Sequence, residues 1–86
     1  MIKLKFGIEI EDIGDEIIII DSTNGRFLEI NQIGHIILSK LIEGISVQEI
    51  SKELSIAYGK QIDDSTKIVT DYINKLRELE ILCSDE

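Results

Sequence analysis

A chain of 86 residues allows one domain, small enough that its core must be compact to hold alone. Its 17 acidic residues outnumber 9 basic ones, a net charge of −8 that repels phosphate backbones and anionic membranes and argues against both as partners. Isoleucine dominates the apolar residues, and there is no proline or tryptophan.

Ile2, Leu4, Phe6, Ile8 and Ile10 alternate strictly with Lys3, Lys5, Gly7, Glu9 and Glu11, which predicts one half-buried strand over about 2–10. Asp12 to Asp15, with Gly14, supplies a turn. A second strand, about 16–21, carries the unbroken run Ile17 to Ile20, as in a strand covered on both faces or one flanking the core. Asn24-Gly25 signals a tight type I′ turn, because both residues tolerate positive φ. The third strand, about 26–30, puts Leu28 and Ile30 on one face and Phe27 and Glu29 on the other. Short turns make these strands an antiparallel meander.

Three helices follow, over about 32–43, 47–58 and 64–80. Asn31 is placed to cap the first and Gly44 to end it; Ile33, Ile36, Ile37, Leu41 and Ile42 form its apolar stripe. Ser46 with Glu49 gives a capping box for the second, which turns Val47, Ile50, Leu54, Ala57 and Tyr58 to one side and stops at Gly59. The third begins near Asp63 or Asp64, where a carboxylate suits the helix dipole. Its stripe is Val69, Tyr72, Ile73, Leu76 and Leu79, with Ile68 at the edge. The order predicts a single α+β domain over residues 1–86, winged-helix-like, with a three-stranded antiparallel sheet followed by three helices on one face.

Reactive groups are scarce. His35 is the only histidine and lies between Ile33 and Ile36, which suits a structural place better than a ligand's. Cys83 has no partner for an internal disulfide and no zinc-site spacing, which favours a reducing cytoplasm. The start of the chain alternates instead of forming a signal peptide's apolar block, and no run approaches membrane-spanning length. The segment from Asp21 to Gly25 has the wrong spacing for a calcium loop and reads as a turn. Glu9, Glu11, Asp12, Asp15 and Glu16 read as a solvated cluster. No enzyme, metal or cofactor is expected. A DNA-reading third helix would need more than Lys67, Lys75 and Arg77 against Asp63, Asp64, Asp71, Glu78 and Glu80.

What remains is the open side of the third strand. Its unpaired N–H and C=O groups either accept an extended peptide as a fourth strand, against the third helix, or are simply blunted by Arg26 and Glu29.

The stretch GRFLEINQIGHIILSKLIEGISVQEISKELS followed by VTDYINKLRELEIL resembles the PqqD-like proteins, peptide-recognition elements from clusters that make ribosomally synthesised, modified peptides. Their strand ending in Leu-Asn is Ile30-Asn31 here, followed by the apolar helix Ile36 to Leu41, then Gly44 and Ser46. The stripe Val-x-x-Phe-Leu-x-x-Leu reads Val69, Tyr72, Ile73, Leu76, and the closing Gly-Leu-Leu reads Glu80-Ile81-Leu82. The likeness covers about Asp15 to Leu82. Ile68 replaces an acidic residue common before the valine, and Glu80 replaces the closing glycine.

The resemblance implies a winged-helix-like adaptor that binds the leader region of a precursor peptide beside the third strand. It implies peptide contacts at Arg26, Phe27, Leu28, Glu29 and Ile30, with Ile68, Tyr72 and Lys75 as groove wall. A domain of this length looks most like the small recognition proteins of lasso-peptide clusters, which serve a leader peptidase and a cyclase; a radical-SAM or other modifying enzyme is the other possible client. The alternative from the residues alone is a winged-helix regulator or assembly subunit using the same edge for a protein partner.

Overall fold

The computed structural model describes residues 2–14 and 16–84. Strands β1 (Ile2–Leu4), β2 (Ile8–Asp12), β3 (Ile17–Asp21) and β4 (Arg26–Ile30) precede helices α1 (Gln32–Ile42), α2 (Val47–Tyr58) and α3 (Ile62–Glu78), and β5 (Leu82–Ser84) closes the order. The meander is present as an antiparallel sheet in the order β2-β3-β4. Ile19, at its centre, is fully buried and packs with Ile37, Leu38, Ile50, Val69, Ile73 and Ile81 in one apolar cluster.

The single strand expected over 2–10 is two strands in two sheets. β1 pairs antiparallel with β5, and β2 pairs with β3. The break falls at Gly7, which takes φ of +85°, a conformation natural to glycine. Its carbonyl accepts bonds from the Ser22 N–H and hydroxyl, both at 3.0 Å, and a methyl at Gly7 would overlap the Thr23 hydroxyl. Phe6, expected to face inward, is therefore turned out and 95% exposed. The connection from β3 to β4 also differs from a two-residue type I′ turn. Residues 22–25 span it, Gly25 takes positive φ and Asn24 does not, because the Asp21 carboxylate accepts from the Asn24 N–H and shapes the loop. Of the turn expected over Asp12 to Asp15, Asp15 lies outside the described residues.

The helix caps follow the sequence closely. Asn31 Oδ1 accepts from the Gly34 N–H at 2.7 Å, and Ser46 Oγ accepts from the Glu49 N–H at 3.2 Å. Gly44, at φ +87°, closes α1 as a Schellman motif, with Ile45 N–H bonded to the Lys40 carbonyl. α2 ends at Gly59, but Ala57 and Tyr58 are exposed, since its buried side narrows to Ile50, Ser51 and Leu54. There α2 approaches α3 through small residues, and Ser55 donates to Ser65 at 3.0 Å. α3 starts at Ile62, earlier than expected, with Asp63 and Asp64 inside its first turn rather than capping it.

α3 also stops earlier, at Glu78, and the chain leaves it through Glu80 at φ +62°. Ile81 N–H bonds to the Leu76 carbonyl and Glu80 N–H to the Arg77 carbonyl, a second Schellman motif sealed by buried Ile81 and Leu76. This exit turns the chain back into β5. Among the described residues no helix is long and apolar enough to cross a membrane.

Glu80 is a side-chain-bearing residue in a left-handed site, which costs roughly 1–2 kcal/mol. Its exposed ion pair with Lys5, at 3.7 Å, returns little of that. Glu80→Gly is therefore expected to stabilise the fold by about 1 kcal/mol. An unchanged or lowered urea midpoint would contradict the strained exit.

Candidate functional site: the groove between β4 and α3

β4 pairs with β3 on one side only, so its other edge is unpaired within the sheet. Beside that edge runs α3, and between them lies a hollow of about 200 Å³. Leu28, Glu29 and Ile30 form its strand side, Tyr72, Lys75 and Leu79 its helix side, and Ile19 and Ile81 lie deeper. Leu28 and Ile30 are half-buried members of the core's margin, so the groove is an exposed extension of the core itself. Apolar walls beside an open strand edge suit an extended chain with alternating side chains.

One end of the groove is fixed by a buried ion pair. The Asp21 side chain is 1% exposed, and its Oδ2 accepts from Arg26 Nε at 3.1 Å and Nη2 at 2.7 Å. Asn24 supplies its N–H at 3.1 Å and its side-chain amide at 2.8 Å. Arg26 Nη2 also donates to the Leu79 carbonyl, at the C-terminus of α3. One guanidinium thus ties the start of β4 to the end of α3. The hydrogen bonds from Asn24 and Arg26 hold the Asp21 carboxyl at about 2, below its ordinary 3.8, despite the opposing effect of burial.

At the other end, Asn31 caps α1 and also lines the groove. It is shared, with Tyr72 and Lys75, by a second and more open hollow of about 390 Å³ between α1 and α3, which Ile33, Gly34, Ile37 and Ile68 complete. The Tyr72 ring divides the two. Its hydroxyl is buried without a hydrogen-bond partner, and burial pushes its pKa up. A methyl at Gly34 would overlap that hydroxyl, so Gly34 is there for space; its φ is not positive.

Of the residues expected at a peptide site, Leu28, Glu29, Ile30, Tyr72 and Lys75 line the β4–α3 groove together. Ile68 lies in the neighbouring hollow. Arg26 is the clamp at the end of the groove, and the Phe27 side chain stands on the opposite face of the sheet, 74% exposed. Sequence reasoning missed Asp21, taken for a turn residue, and Leu79, Ile81 and Asn31 as groove residues. A carboxylate ending a run of four isoleucines, five residues before an arginine, was the available signal for the clamp.

The family model for coenzyme PQQ synthesis protein D (PqqD) matches residues 16–82. The chain belongs to the PqqD family. No curated protein sequence matches it. Two solved structures share the PqqD-like fold. One is a lasso peptide synthetase B1 complexed with the leader peptide, 17% identical, with a TM-score of 0.92 over 96% of this chain and 98% of that one. The other is TbiB1 in complex with the TbiA(beta) leader peptide, 21% identical, with a TM-score of 0.86 over 98% of each chain. The α+β architecture, with three helices on a three-stranded antiparallel sheet, is thus that of the lasso B1 proteins, and the β1–β5 pair adds to it a small sheet that was not expected.

Two outcomes follow for the site. Asp21 has a lowered folded pKa, so its stabilisation is complete above its unfolded value of 3.8 and is lost as pH falls through about 2. Asp21→Asn is therefore expected to lower the melting temperature by a constant amount at neutral pH, with the gap from wild type closing between pH 3.8 and about 2. A gap independent of pH would place the stabilisation elsewhere. Tyr72→Phe removes an unpartnered buried hydroxyl and is expected to stabilise the fold by about 1 kcal/mol, read as a higher urea midpoint at unchanged slope.

Proposed function

We propose that this protein is a non-catalytic adaptor that binds the leader region of a ribosomally made precursor peptide. The leader adds as a strand to the free edge of β4, and the adaptor presents it to a leader peptidase or another modifying enzyme in lasso-peptide biosynthesis. The observation that carries this reading is the unpaired edge of β4 lying directly against the apolar groove of α3. Backbone groups of β4 supply affinity without regard to sequence, and the walls formed by Leu28, Ile30, Tyr72 and Leu79 select the side chains that enter. Glu29 and Lys75 are the charged residues lining the groove. Lys75 stands on the helix wall, whereas Glu29 borders the groove through its backbone, its side chain lying on the other face of the sheet with Phe27. Two structures of the same fold being leader-peptide complexes supports the same reading. The groove offers surfaces that hold a chain in place.

The test is fluorescence anisotropy of a labelled leader peptide, from the precursor gene nearest this chain's own, titrated with the purified protein. Saturable binding that survives moderate salt is expected, because backbone pairing in an apolar groove is screened little. Glu29→Pro, which deletes a backbone N–H from an edge strand that tolerates proline, is expected to weaken binding at least tenfold, about 1.4 kcal/mol. Glu29→Ala keeps the N–H and should bind within a few-fold of wild type. Normal affinity in a folded Glu29→Pro protein would rule out this edge.

A further inference from the structure

The central strand β3 reads Ile17-Ile18-Ile19-Ile20, the pattern of a strand buried on both faces, yet the helices cover only one. Ile17 and Ile19 face the core; Ile18 and Ile20 point the other way, half-buried and outside the apolar cluster. The neighbouring strand β2 shows what a solvated outer face looks like, with Ile8 and Ile10 inward and Glu9 and Glu11 outward. β4 breaks that rule again, turning Phe27 outward at 74% exposure. The register aligns these residues in two rows across the sheet: Glu9, Ile20 and Phe27, then Glu11, Ile18 and Glu29. Three apolar side chains are thus contiguous and bordered by three carboxylates. Contiguous exposed apolar surface framed by polar groups marks an interaction site.

We propose that this outer face docks a second protein whose contact surface has an apolar centre framed by lysine and arginine. On the peptide-adaptor reading, on which this rests, that protein is the enzyme that receives the bound peptide. The charges select the occupant. A second copy packed by a two-fold axis would set Glu9, Glu11 and Glu29 against their own kind, with −8 on each chain. A basic rim complements all three, and Phe27 supplies the aromatic anchor that such interfaces favour. Peptide and partner do not compete for room, because the peptide takes the edge of β4 and the partner takes the face.

The experiment titrates the purified chain with the processing enzyme encoded beside its gene, and in parallel with the leader peptide. Ile18→Thr combined with Ile20→Thr keeps β-branched residues in the strand and is expected to weaken enzyme binding about tenfold or more while leaving leader affinity unchanged. Glu9→Lys combined with Glu11→Lys alters only exposed side chains of an edge strand, so folding is not at issue; it should weaken enzyme binding roughly three- to tenfold and flatten its salt dependence. Enzyme affinity unchanged in both variants would overturn the docking proposal, as would an enzyme that ignores a leader-competent wild type. Self-association in sedimentation that disappears in the isoleucine variant would overturn it in favour of a second copy. Enzyme binding through this face without any leader binding would uphold it and remove the peptide reading instead.

Discussion

The bond between Asp21 and Arg26 sets the geometry on which everything else depends. A groove between a strand and a helix is only as well defined as the distance between them, and nothing in the sheet's own hydrogen bonding reaches α3. Arg26 makes that connection, because its planar guanidinium holds the Asp21 carboxylate and the Leu79 carbonyl at once. Asp21 is affordable in the interior because four donor groups converge on it, so its charge is both paired and hydrogen-bonded. The Leu79 carbonyl is one of the orphan acceptors of a helix end, where a cation is welcome. The clamp thus uses two groups that each needed a partner, and in doing so it fixes the opening of the groove.

The helical half of the fold was legible because caps are local chemistry. Asn31, Ser46, Gly44 and Gly59 act within four residues of themselves, so their types announce their roles. The sheet was less legible where the deciding partner is distant. Residues 2–10 alternate without interruption, and period-two patterning carries no mark of a strand changing sheets. What splits them is β5, a partner some eighty residues away that forms only because the exit through Glu80 reverses the chain. The Glu80 departure from the family's glycine, visible in the sequence, marked the place of that reversal without revealing it.

The groove was legible as an edge and a helix but not as a lining. Helical spacing put Tyr72 and Lys75 on one side of α3, and both line the groove. The same spacing put Ile68 with them, whereas Tyr72, standing against Gly34, separates it into the next hollow. Only the packing of α1 on α3 decides that, and no local pattern encodes it. Strand alternation correctly opposed Leu28 and Ile30 to Phe27 and Glu29. Which of the two faces the helices would cover depended on the clamp, since Arg26 shares a face with Leu28 and Ile30 and must reach α3.

That dependence also explains why Phe27 remains in water. Slipping β4 by one residue against β3 would bring Phe27 inward, but a slip inverts every side chain on the strand. Leu28 and Ile30 would leave the groove wall, and Arg26 would turn its guanidinium away from Asp21 and Leu79. A buried carboxylate stripped of its partner costs far more than an exposed phenylalanine. The register is therefore held by the clamp, and the exposure of Phe27 follows from it. A five-residue strand is committed in three directions at once: its inward side chains belong to the core and clamp, its edge faces the groove, and its outward side chains are left to whatever the sheet meets.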